Sequence, residues 1–265
     1  MIYQGLLKKM KTDYKSCISY FLEMDNDVLH VNQLVGKSVK ISFLSHQCTN
    51  CGKAKKIFRQ GNCYDCFYAN AQVGDWVMRP ELSTAHLGIE DRDLDYEKSV
   101  QLKPHIVYLA VSSNLKVGVT RKTQVPTRWI DQGASKAIAV LETPNRYLAG
   151  AAEVALKEYM SDKTSWQKML KNNIAEIDLL EEKSKIKDLL SEETKPYFLE
   201  TNEEVYHFEY PVVQYPTKIK SVNFDKIPDV EGVLKGVKGQ YLIFENGQVL
   251  NVRNHEGFVV NITVN

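Results

Sequence analysis

The sequence predicts an α+β protein with three parts: a small four-cysteine zinc module, a central core ordered strand, strand, helix, strand, helix, and β-rich segments at both ends. Three observations carry that expectation. Cys48-Thr49-Asn50-Cys51 and Cys63-Tyr64-Asp65-Cys66 are two CxxC pairs set eleven residues apart. From 106 onward, short β-favouring runs alternate with stretches whose apolar residues recur at helical spacing. Both ends of the chain show short strand-like patches divided by turn residues.

Each element follows from local chemistry. Residues 1–46 read as short strands, with Val39-Lys40-Ile41-Ser42-Phe43 alternating after Gly36 and Asp25-Asn26-Asp27 as a turn. Residues 47–72 hold the cysteine pairs, and 73–104 form a connecting segment rich in turn residues and acids. The core with its following helix spans 105–190. Ile106-Val107-Tyr108-Leu109-Ala110-Val111 and Leu115-Lys116-Val117-Gly118-Val119-Thr120 flank a Ser112-Ser113-Asn114 turn, which makes a hairpin. Pro126 opens a helix over 127–132, and 137–141 is the third strand. Asn145 is the expected N-cap of a helix over 147–160, and a second helical region covers 166–190. Residues 197–265 form the C-terminal β segment. Within it, 205–210 and 237–249 are β-rich, and Glu245-Asn246-Gly247-Gln248 is a hairpin turn. A sheet or small barrel completed by the N-terminal strands is expected there.

Composition narrows the class. The 265 residues carry 34 Lys+Arg against 33 Asp+Glu, a net charge of +1, with 43% hydrophobic and 25% charged residues. Disordered, collagen-like and low-complexity chains are excluded, and the length suits one or two domains. No stretch approaches the ~20 apolar residues of a membrane span, and the start lacks the regions of a signal peptide, so a cytoplasmic, membrane-free protein is expected. Charge is unevenly spread: residues 52–59 carry Lys53, Lys55, Lys56 and Arg59 with no acid, whereas 176–204 is dominated by acids.

The cysteines are the strongest chemical signal. Two thiolates three positions apart can face one ion from a tight turn, and two such turns close a four-sulfur shell around structural zinc, so Cys48, Cys51, Cys63 and Cys66 are the expected ligands. Gly52 supports the first turn, since glycine takes positive φ at no steric cost. Disulfides are disfavoured in a reducing compartment, a redox site needs one CxxC, and an iron–sulfur cluster stays open as the alternative. Residues after the second pair read as a helix start, an arrangement similar to a treble clef or zinc ribbon. Lys53, Lys55, Lys56 and Arg59 then point to nucleic-acid contact; the alternative is a staple for a segment too short to build a core. Cys17 stands alone. His46 and His86 read as incidental, because four thiolates already fill the shell.

Residues 105–166 resemble the GIY-YIG nuclease superfamily through Ile106-Val107-Tyr108, Lys116-Val117-Gly118 with Thr120, Arg128 and Glu153. That resemblance implies phosphodiester hydrolysis with one divalent cation: Tyr108 as base, Arg128 as phosphate clamp and Glu153 as ligand for Mg²⁺ or Mn²⁺. The sequence departs from the pattern at Ile106, in place of the first glycine, and at Lys116, in place of the second tyrosine. A lysine could supply a cation or, with lowered pKa, a base. His105 is a spare proton acceptor nearby, and Asn172 and Asn173 are positional candidates for the late polar residue of the superfamily. The whole chain, with its runs over 127–134 and 238–242, also resembles a bacterial family of unknown function. Three readings follow: a metal-dependent nuclease, a non-catalytic nucleic-acid- or ribosome-binding protein, and a zinc-stapled protein adaptor.

Overall fold

Alternation of buried and open residues with a period of two shapes the first strands. They are β1 (Ile2–Leu6), β2 (Lys11–Asp13), β3 (Ser19–Glu23), β4 (Val28–His30) and β5 (Ser38–His46), followed by the short helix α1 (Tyr64–Ala69). In β3 the inward residues are Tyr20 and Leu22, and in β5 they are Val39 and Ile41. The chain continues through α2 (Leu94–Gln101), β6 (His105–Val111), β7 (Leu115–Arg121), α3 (Thr127–Asp131), β8 (Lys136–Thr143) and α4 (Arg146–Lys157). It then forms α5 (Trp166–Leu170), α6 (Leu179–Ile186), β9 (Tyr206–His207), β10 (Lys220–Ser221), β11 (Asp229–Lys238), β12 (Tyr241–Phe244), β13 (Gln248–Asn251) and β14 (Phe258–Val264). This computed structural model describes residues 1–160 and 165–265; within the 105–190 stretch, 161–164 lie outside the described residues. No described helix is long and apolar enough to cross a membrane.

Two units divide the chain. Unit 1 comprises Met1–Ala69, Ile130–Gly133 and Glu209–Asn265, and unit 2 comprises Asn70–Trp129 and Ala134–Phe208. In unit 1 the two β-rich ends make one seven-stranded sheet in the order β1-β14-β5-β11-β12-β13-β10. β5 lies between β14 and β11, antiparallel to both, so the C-terminal strands are completed by N-terminal ones. A separate three-stranded sheet, β2-β3-β4, accompanies it. The sequence runs over 127–134 and 238–242 meet here through buried polar groups. Gln240 donates from Nε2 to Asp131 Oδ1 at 2.9 Å and accepts from the Met10 N–H at 2.8 Å, while Lys9 Nζ sits 2.5 Å from Asp131 Oδ2. Those runs therefore include residues that hold unit 1 together.

Unit 2 is built on the four-stranded sheet β7-β6-β8-β9. Every residue of β6 is buried, as a central strand covered on both faces requires. On one face Val107, Leu109, Ile138 and Val140 pack with Ala149, Ala152 and Leu156 of α4 and Leu179 and Ile186 of α6. On the other, Trp129 meets Tyr108 edge-on at 5.7 Å and Tyr206 at 5.1 Å. Asn145 caps α4 as expected, its Oδ1 accepting from the Leu148 N–H at 2.9 Å. β7 is left as an edge strand.

Two local expectations are corrected. The helical region over 166–190 is broken, because Asn172 takes a left-handed φ of 57° and the Ala175 N–H donates to the Ser113 carbonyl at 2.9 Å. Asp178 then starts α6 afresh by accepting from the N–H groups of Leu180 and Glu181. The strand over 205–210 shrinks to the two residues of β9. Residues 71–87 hold four 3-10 turns, and the connecting segment, to which the sequence assigns no elements, contains α2.

Candidate functional site

The four expected cysteines come together in unit 1. Their sulfurs all lie within 4.8 Å of one another, and all five cysteines of the chain are free thiols. A tetrahedron of sulfurs around zinc has edges of about 3.8 Å, given Zn–S bonds of about 2.3 Å, so a modest contraction closes the shell. Gly52 sits at φ 68° and donates to the Cys48 carbonyl at 2.9 Å, while the Cys63 N–H points at Cys48 Sγ at 3.3 Å. Cys63 and Cys66 flank the start of α1. Burial pushes the Cys48 thiol up, but N–H groups of Cys51, Cys63 and Asn50 outweigh it and bring the pKa to about 6. Asn50 pulls the Cys66 thiol down, yet Cys63, burial, Cys51 and Cys48 together push it up to about 11. Four crowded thiols cannot all ionise alone, and a divalent cation removes that conflict. Cys17 lies outside the cluster, its thiol raised by burial and by Glu209.

The basic loop is only partly open. Lys53, Lys56 and Arg59 are exposed. Lys55, by contrast, pairs with Asp65 at 2.6 Å, which offsets its charge.

In unit 2 the residues of the nuclease-like pattern lie on β6 (Tyr108), β7 (Lys116, Gly118), α3 (Arg128) and α4 (Glu153). Tyr108 pairs across the hairpin with Gly118, and Ala110 with Lys116, so Tyr108, Gly118 and Lys116 share one sheet face. Gly118 is required there: a Cβ at that position would lie 2.6 Å from the Tyr108 hydroxyl. Tyr108 is only 1% exposed, so its hydroxyl rests against β7 rather than facing solvent. Burial first, and Arg128 second, bring the Lys116 ammonium down to about 7, against an opposing pull from Glu153. Glu153, next to the core-facing Ala152 of α4, is raised by burial and held partly down by Lys157 at 3.4 Å and by Arg146. Lys116 thus feels both Arg128 and Glu153. Asn172 and Asn173 are exposed in the turn after α5.

Two cations escaped the sequence reading. Arg146 donates from Nε to the Trp76 carbonyl at 3.0 Å and from Nη2 to the Val77 carbonyl at 2.8 Å. Burial lowers it to about 10, with Glu153 opposing and Arg128 and Arg121 adding to the fall. A signal existed: an arginine in the first turn of a helix opposes the helix dipole and needs another reason to be there. Arg121 ends β7. Arg146 thus feels Glu153 and Glu81 on one hand and Arg128 and Arg121 on the other, while Lys157 and Arg146 act on Glu153.

His105 departs from its expected role. It is fully buried, Nδ1 lies 2.7 Å from the Lys103 carbonyl, and burial, aided by Arg146 and Arg121, lowers its pKa to about 4. Between that value and the ordinary 6.5, the unfolded chain takes up a proton that the folded chain refuses. The stability given by the neutral ring is thus complete above pH 6.5 and lost as pH falls toward 4, by up to about 3 kcal/mol. Urea unfolding at pH 4.5 and 7 is expected to show a smaller pH dependence in His105→Gln than in wild type.

Fold and site together define an α+β protein with a cluster of four thiols close enough to hold one metal ion. A family model described as "Protein of unknown function (DUF2797)" matches residues 36–260, and the chain belongs to that family. The match spans the four cysteines and Lys116, Arg128 and Glu153. No curated protein and no solved structure matches the chain.

Proposed function

We propose that the protein is a zinc-containing nucleic-acid-handling protein whose unit 2 hydrolyses phosphodiesters. The observation that carries this reading is that Lys116, on the edge strand β7, feels the charges of both Arg128 and Glu153. With a pKa of about 7, Lys116 is neutral in a substantial fraction of molecules at neutral pH and can take a proton from water. The Arg128 guanidinium can hold two phosphate oxygens at once. Glu153 is the ligand for Mg²⁺ or Mn²⁺, which when bound stabilises charge on the phosphate. In the step, the water oxygen bonds to phosphorus, its proton passes to Lys116, the P–O ester bond breaks, and the departing alkoxide takes a proton from solvent. Tyr108 serves as wall and positioning group, since its hydroxyl is enclosed.

The metal of the cysteine cluster is zinc. Four soft thiolates within 4.8 Å suit one tetrahedral ion. An iron–sulfur cluster places an inorganic core between the thiolates and spreads them further apart.

Single- and double-stranded DNA and RNA, incubated with wild type in Mg²⁺ or Mn²⁺, are expected to be cut, and Glu153→Gln to lose at least 100-fold in rate while still binding. Absence of cleavage by wild type on all four substrates overturns the hydrolase. Binding without cleavage would instead match a non-catalytic nucleic-acid-binding protein, a reading that the burial of Tyr108 favours.

A further inference from the structure

The cysteine module leaves three of its four aromatic rings exposed. Tyr64 and Tyr68 stand four residues apart on α1 and so share one face, with ring centroids 4.9 Å apart. Phe58, from the loop between the cysteine pairs, meets Tyr64 edge-on at 5.2 Å and Phe67 at 5.3 Å. A cluster serving only as a miniature core would hide these rings. Yet Phe58 is 40%, Tyr68 55% and Tyr64 60% exposed. Cations border them: Arg59 lies 5.3 Å from the Phe58 centroid, and Lys53 and Lys56 are exposed on the same loop. The only acid between 47 and 69 is Asp65, which Lys55 neutralises.

We infer that this face is a stacking platform for single-stranded nucleic acid; the inference rests on the nucleic-acid reading above and names its substrate class. Every base offers a π-face to an aromatic ring, whatever the sequence, and lysine or arginine beside the ring meets the intervening phosphate. A duplex keeps its base faces inside the stack, where these rings cannot reach them. Protein partners could also cover exposed tyrosines. Rings interspersed with cations, however, match a strand in which apolar bases alternate with charged phosphates.

Fluorescence anisotropy on the full-length, zinc-loaded chain tests this, using labelled twenty-nucleotide oligo-dT and oligo-rU and a duplex of the same length. Single strands are expected to bind at least tenfold more tightly than the duplex. Tyr64→Ala and Tyr68→Ala should each weaken single-strand binding about 5- to 100-fold, the size of one lost stacking contact. The corresponding Phe variants should retain it. Both tyrosines are exposed, and an unchanged zinc content verifies that the module is intact. The platform is overturned if the double alanine variant binds within twofold of wild type, if the duplex binds as tightly as oligo-dT, or if neither binds. Its failure is distinct from that of the hydrolase. Tight oligo-dT binding without cleavage sinks the hydrolase and leaves the platform, whereas cleavage with KM unchanged in the double alanine variant does the reverse.

Discussion

Replacing Cys63 with serine is expected to release close to one zinc ion per chain and to unfold the module around it. Little else holds that segment. Residues 51–60 are exposed except for the half-buried Ile57, and α1 has no buried residue. Its ties to the rest of unit 1 are few, among them Gln47 donating to the Gly257 carbonyl at 2.8 Å and, within the module, Thr49 donating to the Gly61 carbonyl at 2.9 Å. Structural zinc sites bind with about 10–16 kcal/mol, and in a segment with almost no core that energy is the folding energy. Loss of one buried ligand should therefore make 47–69 the first site of proteolysis, detectable by limited digestion, with zinc measured by mass spectrometry. Cys17→Ser, outside the cluster, should keep its zinc. Zinc retained by Cys63→Ser, or a disulfide mapped between any two of the four thiols, would refute the assignment.

Local features of this kind were legible because their causes are local. The CxxC spacing, Gly52, the Asn145 cap and the β6–β7 hairpin each depend on a few adjacent residues, and each stands as expected. Features that depend on remote packing were not. Tyr108 reads as a reachable base in one dimension, and only the pairing with Gly118 reveals that its ring lies across β7. Arg146 has no assigned role in the sequence because its partners, the carbonyls of Trp76 and Val77, lie about seventy residues earlier in the chain. His105 follows the same rule, since its depressed pKa comes from burial rather than from any neighbour in sequence. The break after α5 was missed because a lone asparagine at positive φ leaves no periodic trace.

Lys116→Met is expected to stabilise the protein and abolish its proposed chemistry together. Lys116 lies in unit 2 with Arg128 acting against its charge, and burial with that repulsion lowers its pKa from 10.5 to about 7. Below pH 7 the folded chain carries an ammonium where its surroundings disfavour one. Above pH 7 the folded chain sheds that proton while the unfolded chain keeps it until about 10.5, so this residue's contribution to stability rises with pH across that window. Methionine fills the same space without charge. It should raise stability at pH 7 by about 1–2 kcal/mol and flatten the rise between pH 7 and 10, both readable from denaturant midpoints. Cleavage, if Lys116 is the base, should fall by about 10²–10⁴-fold, and the wild-type rate should climb through pH 7 as the amine loses its proton. Lys116→Arg separates base from cation: it keeps the charge but cannot deprotonate, so it should bind nucleic acid normally and still fail to cut. A fully active arginine variant would show that Lys116 supplies only charge, and a destabilised methionine variant would show that its ammonium is compensated more fully than its depressed pKa implies.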